Sequence, residues 1–146
     1  MPKLPEILNG PEKKESVIDD CLALIDAEVA DKGGISGLAL KAGYGMVKGI
    51  KPGFIRHVVN DLLPEFAAAL DPFYQEATEQ KKAPREHFVA NSSRVADALL
   101  SITDSRAKTA KSSVVRSTYD KLRGTAKKNV EQALPRLGDL VAKHTK

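Results

Sequence analysis

Two stretches of the chain set cations around a tyrosine in the same way. Lys41-x-x-Tyr44-x-x-Val47-Lys48-Gly49 returns as Arg116-x-x-Tyr119-x-x-Leu122-Arg123-Gly124. On a helix, residues seven apart share a face, so Lys41 and Lys48 point one way, as do Arg116 and Arg123. Each tyrosine follows the first cation by three residues and leans toward the apolar side. Cations at this spacing suit a phosphate or carboxylate, and Arg above all can grip one with paired N–H groups. The plainer chemistry is solvated Lys and Arg beside a core tyrosine whose hydroxyl reaches the surface. In the second copy Asp120, four residues after Arg116, cancels part of the charge. Lys41, Tyr44, Lys48, Arg116, Tyr119 and Arg123 are therefore the candidate anion-binding residues. If the two copies meet, four like charges repel one another. Asp26 and Asp104, each ending the helix before its copy, are the expected internal partners, and surplus charge is left for an anionic ligand.

Catalytic chemistry finds little else to use. His57, His87 and His144 are far apart in sequence and form no pair at i, i+3 or i+4, so no metal site is expected. His57 and Asp61 can share a helix face, an arrangement more often structural than catalytic. Cys21 lies on an apolar stripe and reads as a small buried hydrophobe. No G-x-S-x-G elbow occurs. Asp19 and Asp26, like Asp97 and Asp104, are seven apart; salt bridges to the next helix are the expected use of these carboxylates rather than acid–base work. No catalytic residue and no cofactor are assigned, and an enzyme is not the expected reading. Seven of the ten glycines lie between Gly33 and Gly53. Gly45, Gly49 and Gly53 are four apart and predict a narrow face for close packing of a neighbouring backbone, with phosphate cradling beside Lys41, Lys48 and Lys51 as the other use. Neither G-x-x-x-x-G-K-[ST] nor a strand followed by G-x-G-x-x-G is present, so nucleotide-loop readings fail.

The charge balance fits a binding role. Residues 81–146 hold 15 Lys and Arg against 6 Asp and Glu, whereas residues 1–80 hold 8 against 13. The surplus can meet an anionic small molecule, a nucleic acid or an acidic protein, or the acidic half can simply lie against the basic half. Aromatic residues are only 5% of the chain, which leaves few rings for base stacking. The leading expectation is a non-enzymatic binding or interaction domain whose basic C-terminal half contacts an anionic partner. The alternative is a small anionic-metabolite-binding protein, or an enzyme, with a groove between two helical repeats. One cysteine excludes an internal disulfide, and the Met-Pro-Lys-Leu-Pro-Glu start leads into no apolar run. A cytoplasmic chain without a membrane span is expected, and an oligomer is compatible with it.

Helices must position these residues, since apolar residues recur at helical spacing almost throughout and no segment alternates for long. Ile18, Leu22, Ile25 and Val29 mark a first helix ended by Gly33-Gly34, with Ser36 as N-cap of the next. Leu40, Tyr44 and Val47 mark a second, stopped at Gly49 to Gly53. A third runs from Ile55 to Phe73 past Pro64, where a bend is expected, and Asp71-Pro72 predicts a restart to about residue 80. Lys81 to Pro84 reads as a linker. Phe88, Asn91, Val95, Leu99 and Ile102 predict one helix, Val115, Tyr119 and Leu122 another, and Val130, Leu134, Leu137 and Val141 a last one, bent at Pro135.

Three blocks repeat in order. Val17, Asp19, Leu22 and Asp26 match Val95, Asp97, Leu100 and Asp104; the basic–tyrosine stretches match; and Val59, Leu63-Pro64 and Phe66 match Val130, Leu134-Pro135 and Leu137. The expected fold is all-α: a helical bundle of about six main helices in a single domain over residues 1–146. It is built from two tandem three-helix repeats, about 12–80 and 85–146, with approximate two-fold symmetry. Asp26-Ala-Glu28-Val-Ala-Asp31-Lys32, then Ser36-Gly37, Lys41-Ala-Gly43-Tyr44 and Leu134-Pro135-Arg136-Leu137, resemble a family of uncharacterised proteins of about this length from high-G+C Gram-positive bacteria. That resemblance covers nearly the whole chain. It implies a bacterial, cytoplasmic protein, and no functional residue is carried over from it.

Overall fold

A computed structural model describes residues 3–145, the side chains of Ile35 and Ser36 excepted. The described residues form seven helices and no strand: α1 (Leu4–Leu8), α2 (Lys14–Asp31), α3 (Gly34–Lys48), α4 (Phe54–Glu79), α5 (Pro84–Ala90), α6 (Ser92–Lys108) and α7 (Ser113–His144). The fold is an all-α bundle. Among these residues no helix is long and apolar enough to cross a membrane.

Several boundaries differ from the sequence expectation. Helix α1 carries no period of its own, yet Leu4 and Leu8 are both buried and pack it on α4. Helix α3 starts at Gly34 with Gly33 as its N-cap, so Ser36 lies inside the helix, and its capping role falls on a side chain outside the described residues. No restart occurs at Asp71-Pro72: α4 is one helix of 26 residues containing both Pro64 and Pro72. Asp71 does not cap it, since its carboxylate accepts from the Leu4 backbone N–H at 2.8 Å and from Gln75 at 3.2 Å. An interior proline costs about 3 kcal/mol. Leu63, Ala67, Leu70, Phe73 and Ala77 stay buried along one stripe across both prolines, and that burial keeps the helix whole.

The second half departs in two ways. The stripe from Phe88 to Ile102 is split at Asn91, whose side-chain amide donates to the His87 carbonyl at 2.9 Å and whose Oδ1 accepts from Arg94 at 3.0 Å. Such side-chain bonds compete with helical continuation, and α5 ends there. In contrast, the two expected last helices are one, α7, of 32 residues. The first half separates its equivalents with Ile50, Lys51, Pro52 and Gly53, the last at φ +73. The second half has no such insertion, and Gly124 alone, at about 1 kcal/mol relative to alanine, does not stop the helix.

Helix α7 runs back along α6: Tyr119 bonds Asp104, Lys127 pairs with Asp97 at 3.1 Å, and Ser92 donates to Glu131 at 2.9 Å. In the first half, α3 and the start of α4 run back along α2 in the same sense, with Tyr44 on Asp26 at 2.7 Å and Arg56 on Asp19 at 2.7 Å and on Glu15. The halves are joined across α4–α6 and α2–α7. Arg106 pairs with Glu65 at 2.8 Å, Arg94 with Glu76 at 3.4 Å, Lys143 with Asp20 at 2.9 Å, and Arg136 with Glu28 and with Asp31 at 2.6 Å. The acidic half therefore does lie against the basic half, and four of the second half's cations are neutralised there.

Candidate anion site at the tip of helices α6 and α7

The last turn of α6 and the first three turns of α7 enclose a cleft of about 480 Å³ lined by Asp104, Ala107, Lys108, Arg116, Tyr119, Asp120 and Arg123. Ser112 starts α7 properly, its hydroxyl accepting from the Val115 backbone N–H at 3.4 Å. Arg116, Tyr119, Asp120 and Arg123 then fall at i, i+3, i+4 and i+7, which puts them on one face. Arg123 grips Asp104 through Nε at 2.8 Å and through a terminal nitrogen at 3.2 Å. Tyr119 donates to the same carboxylate and lies 2.8 Å from the Thr103 hydroxyl. The Arg123 guanidinium, and after it the Tyr119 hydroxyl, hold the Asp104 carboxyl below the ordinary range. Burial and then the Asp104 charge push the Tyr119 hydroxyl up, so this tyrosine donates a hydrogen bond at neutral pH and does not act as a base.

With Asp104 engaged by Arg123, the cleft keeps Lys108 and Arg116 for anything that enters. Arg116 spends one N–H on the Ala110 carbonyl and makes no ion pair among the described residues. Residues 106–128 hold eight Lys and Arg and a single acidic residue, Asp120. Within that span Lys108, Lys111, Arg116, Lys121 and Lys128 are exposed and, among the described residues, have no carboxylate partner.

The first basic–tyrosine copy lies elsewhere: Lys41, Tyr44 and Lys48 line none of this cleft. Tyr44 donates to Asp26, and Lys48 sits over the Tyr44 ring at 5.1 Å from its centroid, a cation–π contact rather than an ion pair. Burial, then Asp26, pushes the Tyr44 hydroxyl up. The expected pairing of the cations with both aspartates thus holds for Asp104 and fails for Asp26, which a tyrosine satisfies instead. The two stretches do touch. Helix α3 packs on α7, and a Cβ at Gly43 would stand 2.9 Å from Thr118 and 3.1 Å from Leu122. Of the glycines read as a close-packing face, Gly45 has nothing within 4 Å of its would-be Cβ, Gly49 meets only carbonyls of its own helix, and Gly53 caps α4. Gly43 is the close approach, and the face holding Gly45 is open.

Lys108 completes the site without a sequence motif to announce it; only the α6–α7 turn brings it into the cleft that Arg116 lines. A second cleft, about 430 Å³, crosses the halves between α2 and α7. Its groups largely satisfy one another: Lys32 bonds Glu28 at 3.1 Å and Gln132 at 2.7 Å, while Arg136 holds Glu28 and Asp31. Cys21 is partly buried, and burial, then Asp20, pushes its thiol up to about 11, away from nucleophilic use. His57 meets Asp61 at 3.2 Å on an exposed face. Among the described residues no three His, Cys, Asp or Glu gather as a metal would need.

Compared with known proteins, the chain matches over residues 4–145 the model of a family described as a family of unknown function (DUF6918). No curated protein and no solved structure matches it significantly.

Proposed function

Since the chain belongs to this family of unknown function, its own geometry must supply a role, and we propose that it is a non-enzymatic binding domain that holds an anionic partner at the α6–α7 tip. One observation carries the reading. The molecule neutralises much of its basic half internally, yet among the described residues leaves Lys108, Lys111, Arg116, Lys121 and Lys128 without carboxylates in one stretch of 21 residues, with Lys108 and Arg116 lining the tip cleft. The partner offers phosphate or carboxylate groups; Arg116 and Lys108 meet them, and Arg123 and Tyr119, fixed by Asp104, form the wall. The cleft between the halves is the poorer candidate, because Lys32 and Arg136 there are already held by Glu28 and Asp31, and among the described residues only Lys128 is left without a carboxylate. A cytoplasmic setting fits this reading.

The repeat is part of the same proposal. We infer that the halves are copies related by a two-fold passing near Gly43 and Thr118, which hold matching positions and touch. Three matched pairs of contacts support it. Tyr44–Asp26 answers Tyr119–Asp104, and Arg56–Asp19 answers Lys127–Asp97. Between the halves, Glu65–Arg106 answers Arg136–Glu28 with the signs exchanged.

The test is a titration of fluorescein-labelled duplex DNA and single-stranded RNA with the chain at several salt concentrations, beside thermal shifts with inorganic phosphate and pyrophosphate. Binding should weaken steeply with salt, because phosphate contacts release counterions. Arg116→Ala and Lys108→Ala should each weaken it, whereas Lys82→Ala, in the α4–α5 linker, should not. Equal loss in all three variants, or no response to any of these anions, refutes the tip as a binding site.

A further inference from the structure

Helix α3 is apolar on both sides, which a helix at a protein surface normally is not. Leu40, Gly43 and Val47 face inward toward the bundle. Outward stand Leu38 and Met46, 69% and 55% exposed, with Ala42, Gly45 and Gly49 between them. At about 100° per residue, Leu38, Ala42, Gly45 and Gly49 fall within about 60° of one another, with Met46 at one margin and Lys41 and Lys48 at the other. Among the described residues this outer face has no occupant at Gly45, where nothing lies within 4 Å of a Cβ built on it. Glycine inside a helix costs about 1 kcal/mol against alanine. At Gly43 the packing of Thr118 and Leu122 compensates; at Gly45 nothing among the described residues does.

Charge selects the occupant. No Asp or Glu occurs between Lys32 and Asp61, and Lys41, Lys48 and Lys51 have no carboxylate partner among the described residues. Two copies of α3 laid face to face would bring their lysine margins together if antiparallel and set each lysine margin against Met46 if parallel; neither pairing offers the lysines a carboxylate, which disfavours a second copy of this chain. An apolar seam with small residues along a lysine margin is instead complementary to a helix that carries an apolar stripe edged by Glu or Asp. Gly45 and Ala42 let such a helix approach closely, Leu38 and Met46 pack beside it, and Lys41 and Lys48 meet its carboxylates. We propose that the outer face of α3 docks an acidic amphipathic helix of a partner protein. This surface is separate from the α6–α7 tip and does not depend on that site binding anything.

The test uses the whole chain and a labelled synthetic helix with a leucine seam flanked by glutamates, measured by anisotropy beside its glutamine and lysine analogues. The glutamate helix should bind at least tenfold more tightly than either analogue. Gly45→Gln separates docking from folding: the free protein has room for the side chain and should unfold at the same or a higher temperature, while the glutamate helix binds at least tenfold more weakly. Lys41→Glu combined with Lys48→Glu should shift preference to the lysine helix. Arg116→Ala should leave all of this unchanged. The proposal is overturned if the glutamate helix binds no better than its analogues, or if Gly45→Gln binds it like the parent. It is also overturned if sedimentation shows self-association that Gly45→Gln abolishes, or if vesicles rich in phosphatidylserine bind through Leu38 and Met46 while the helix does not.

Discussion

Replacing Gly138 by alanine tests how the second half is assembled. Gly138 is buried in α7, and a Cβ there would stand 2.3 Å from the Arg85 Cα and 2.5 Å from its backbone nitrogen. Those are backbone atoms of α5, so no side chain can swing aside. Restoring a van der Waals contact requires α5 to retreat by about 1 Å. Overpacking of this kind costs about 1–3 kcal/mol. Retreat also loosens Phe88, which α5 holds fully buried and whose burial contributes about 1.5–3 kcal/mol. Against this, alanine gains about 1 kcal/mol of helix propensity over glycine. The net expectation is a loss of about 2 kcal/mol, or about 4–8 °C in Tm for a domain of this size. Urea unfolding measures it, with Gly124→Ala as the control: Gly124 is in the same helix with nothing within 4 Å, so its substitution should stabilise by about 1 kcal/mol. A Gly138→Ala chain as stable as Gly124→Ala would mean that α5 does not lie on α7 at this point. Three residues after the interior proline Pro64, α4 carries Ala67, itself fully buried, so alanine is accommodated there.

Three further outcomes follow from local features. Lys81 sits at φ +58, while the Lys82 N–H reaches back to the Ala77 carbonyl at 2.8 Å; Lys81→Gly should relieve a left-handed residue and stabilise by about 0.5–1 kcal/mol in urea unfolding, and a loss would show that the lysine side chain matters more than its backbone. The carboxyls of Asp104, Asp20 and Glu76 are held low, chiefly by bonds from Arg123, Lys143 and His87 respectively. Groups with lowered folded-state pKa contribute stability above their unfolded values that is lost on acidification through the folded values, so the urea midpoint should hold from pH 7 to 5 and fall below about pH 4; a fall centred near pH 6 would contradict this. Deleting Ile50 to Gly53 should give the first half the uninterrupted helix of the second, keeping one cooperative unfolding transition with more helical circular dichroism, and a molten or unfolded product would speak against equivalent halves.

The all-α class and most apolar stripes were legible because a period of 3.6 survives averaging over many residues. What local pattern could not convey was where helices continue. Asp71-Pro72 read as a restart and the stretch between Leu122 and Val130 as a break, and each is overridden, the first by a buried stripe on either side and the second by the lack of an insertion. Asn91 misled in the opposite direction, since it sits at stripe spacing while its side chain terminates α5. At the site, the basic–tyrosine spacing located Arg116, Tyr119 and Arg123 and anticipated Asp104. It could not separate the two copies, because Tyr44 and Lys48 repeat the pattern in a setting where a tyrosine hydroxyl and a ring face do the work of an ion pair. Lys108 joined the cleft through the turn between helices, a contact that no period encodes.

Helix α7 packs against α2, α3, α5 and α6, and every one of these precedes it in the chain. A ribosome therefore releases four helices with unsatisfied apolar faces before it makes the rod that unites them. At about 1.5 Å per residue that rod is nearly 50 Å long, and its buried residues Leu134, Leu140 and Val141 lie in its last three turns. The nascent chain has to remain soluble through that interval, and its dense surface charge serves it there. The faces that these four helices turn toward α7 are covered only once that rod has been made.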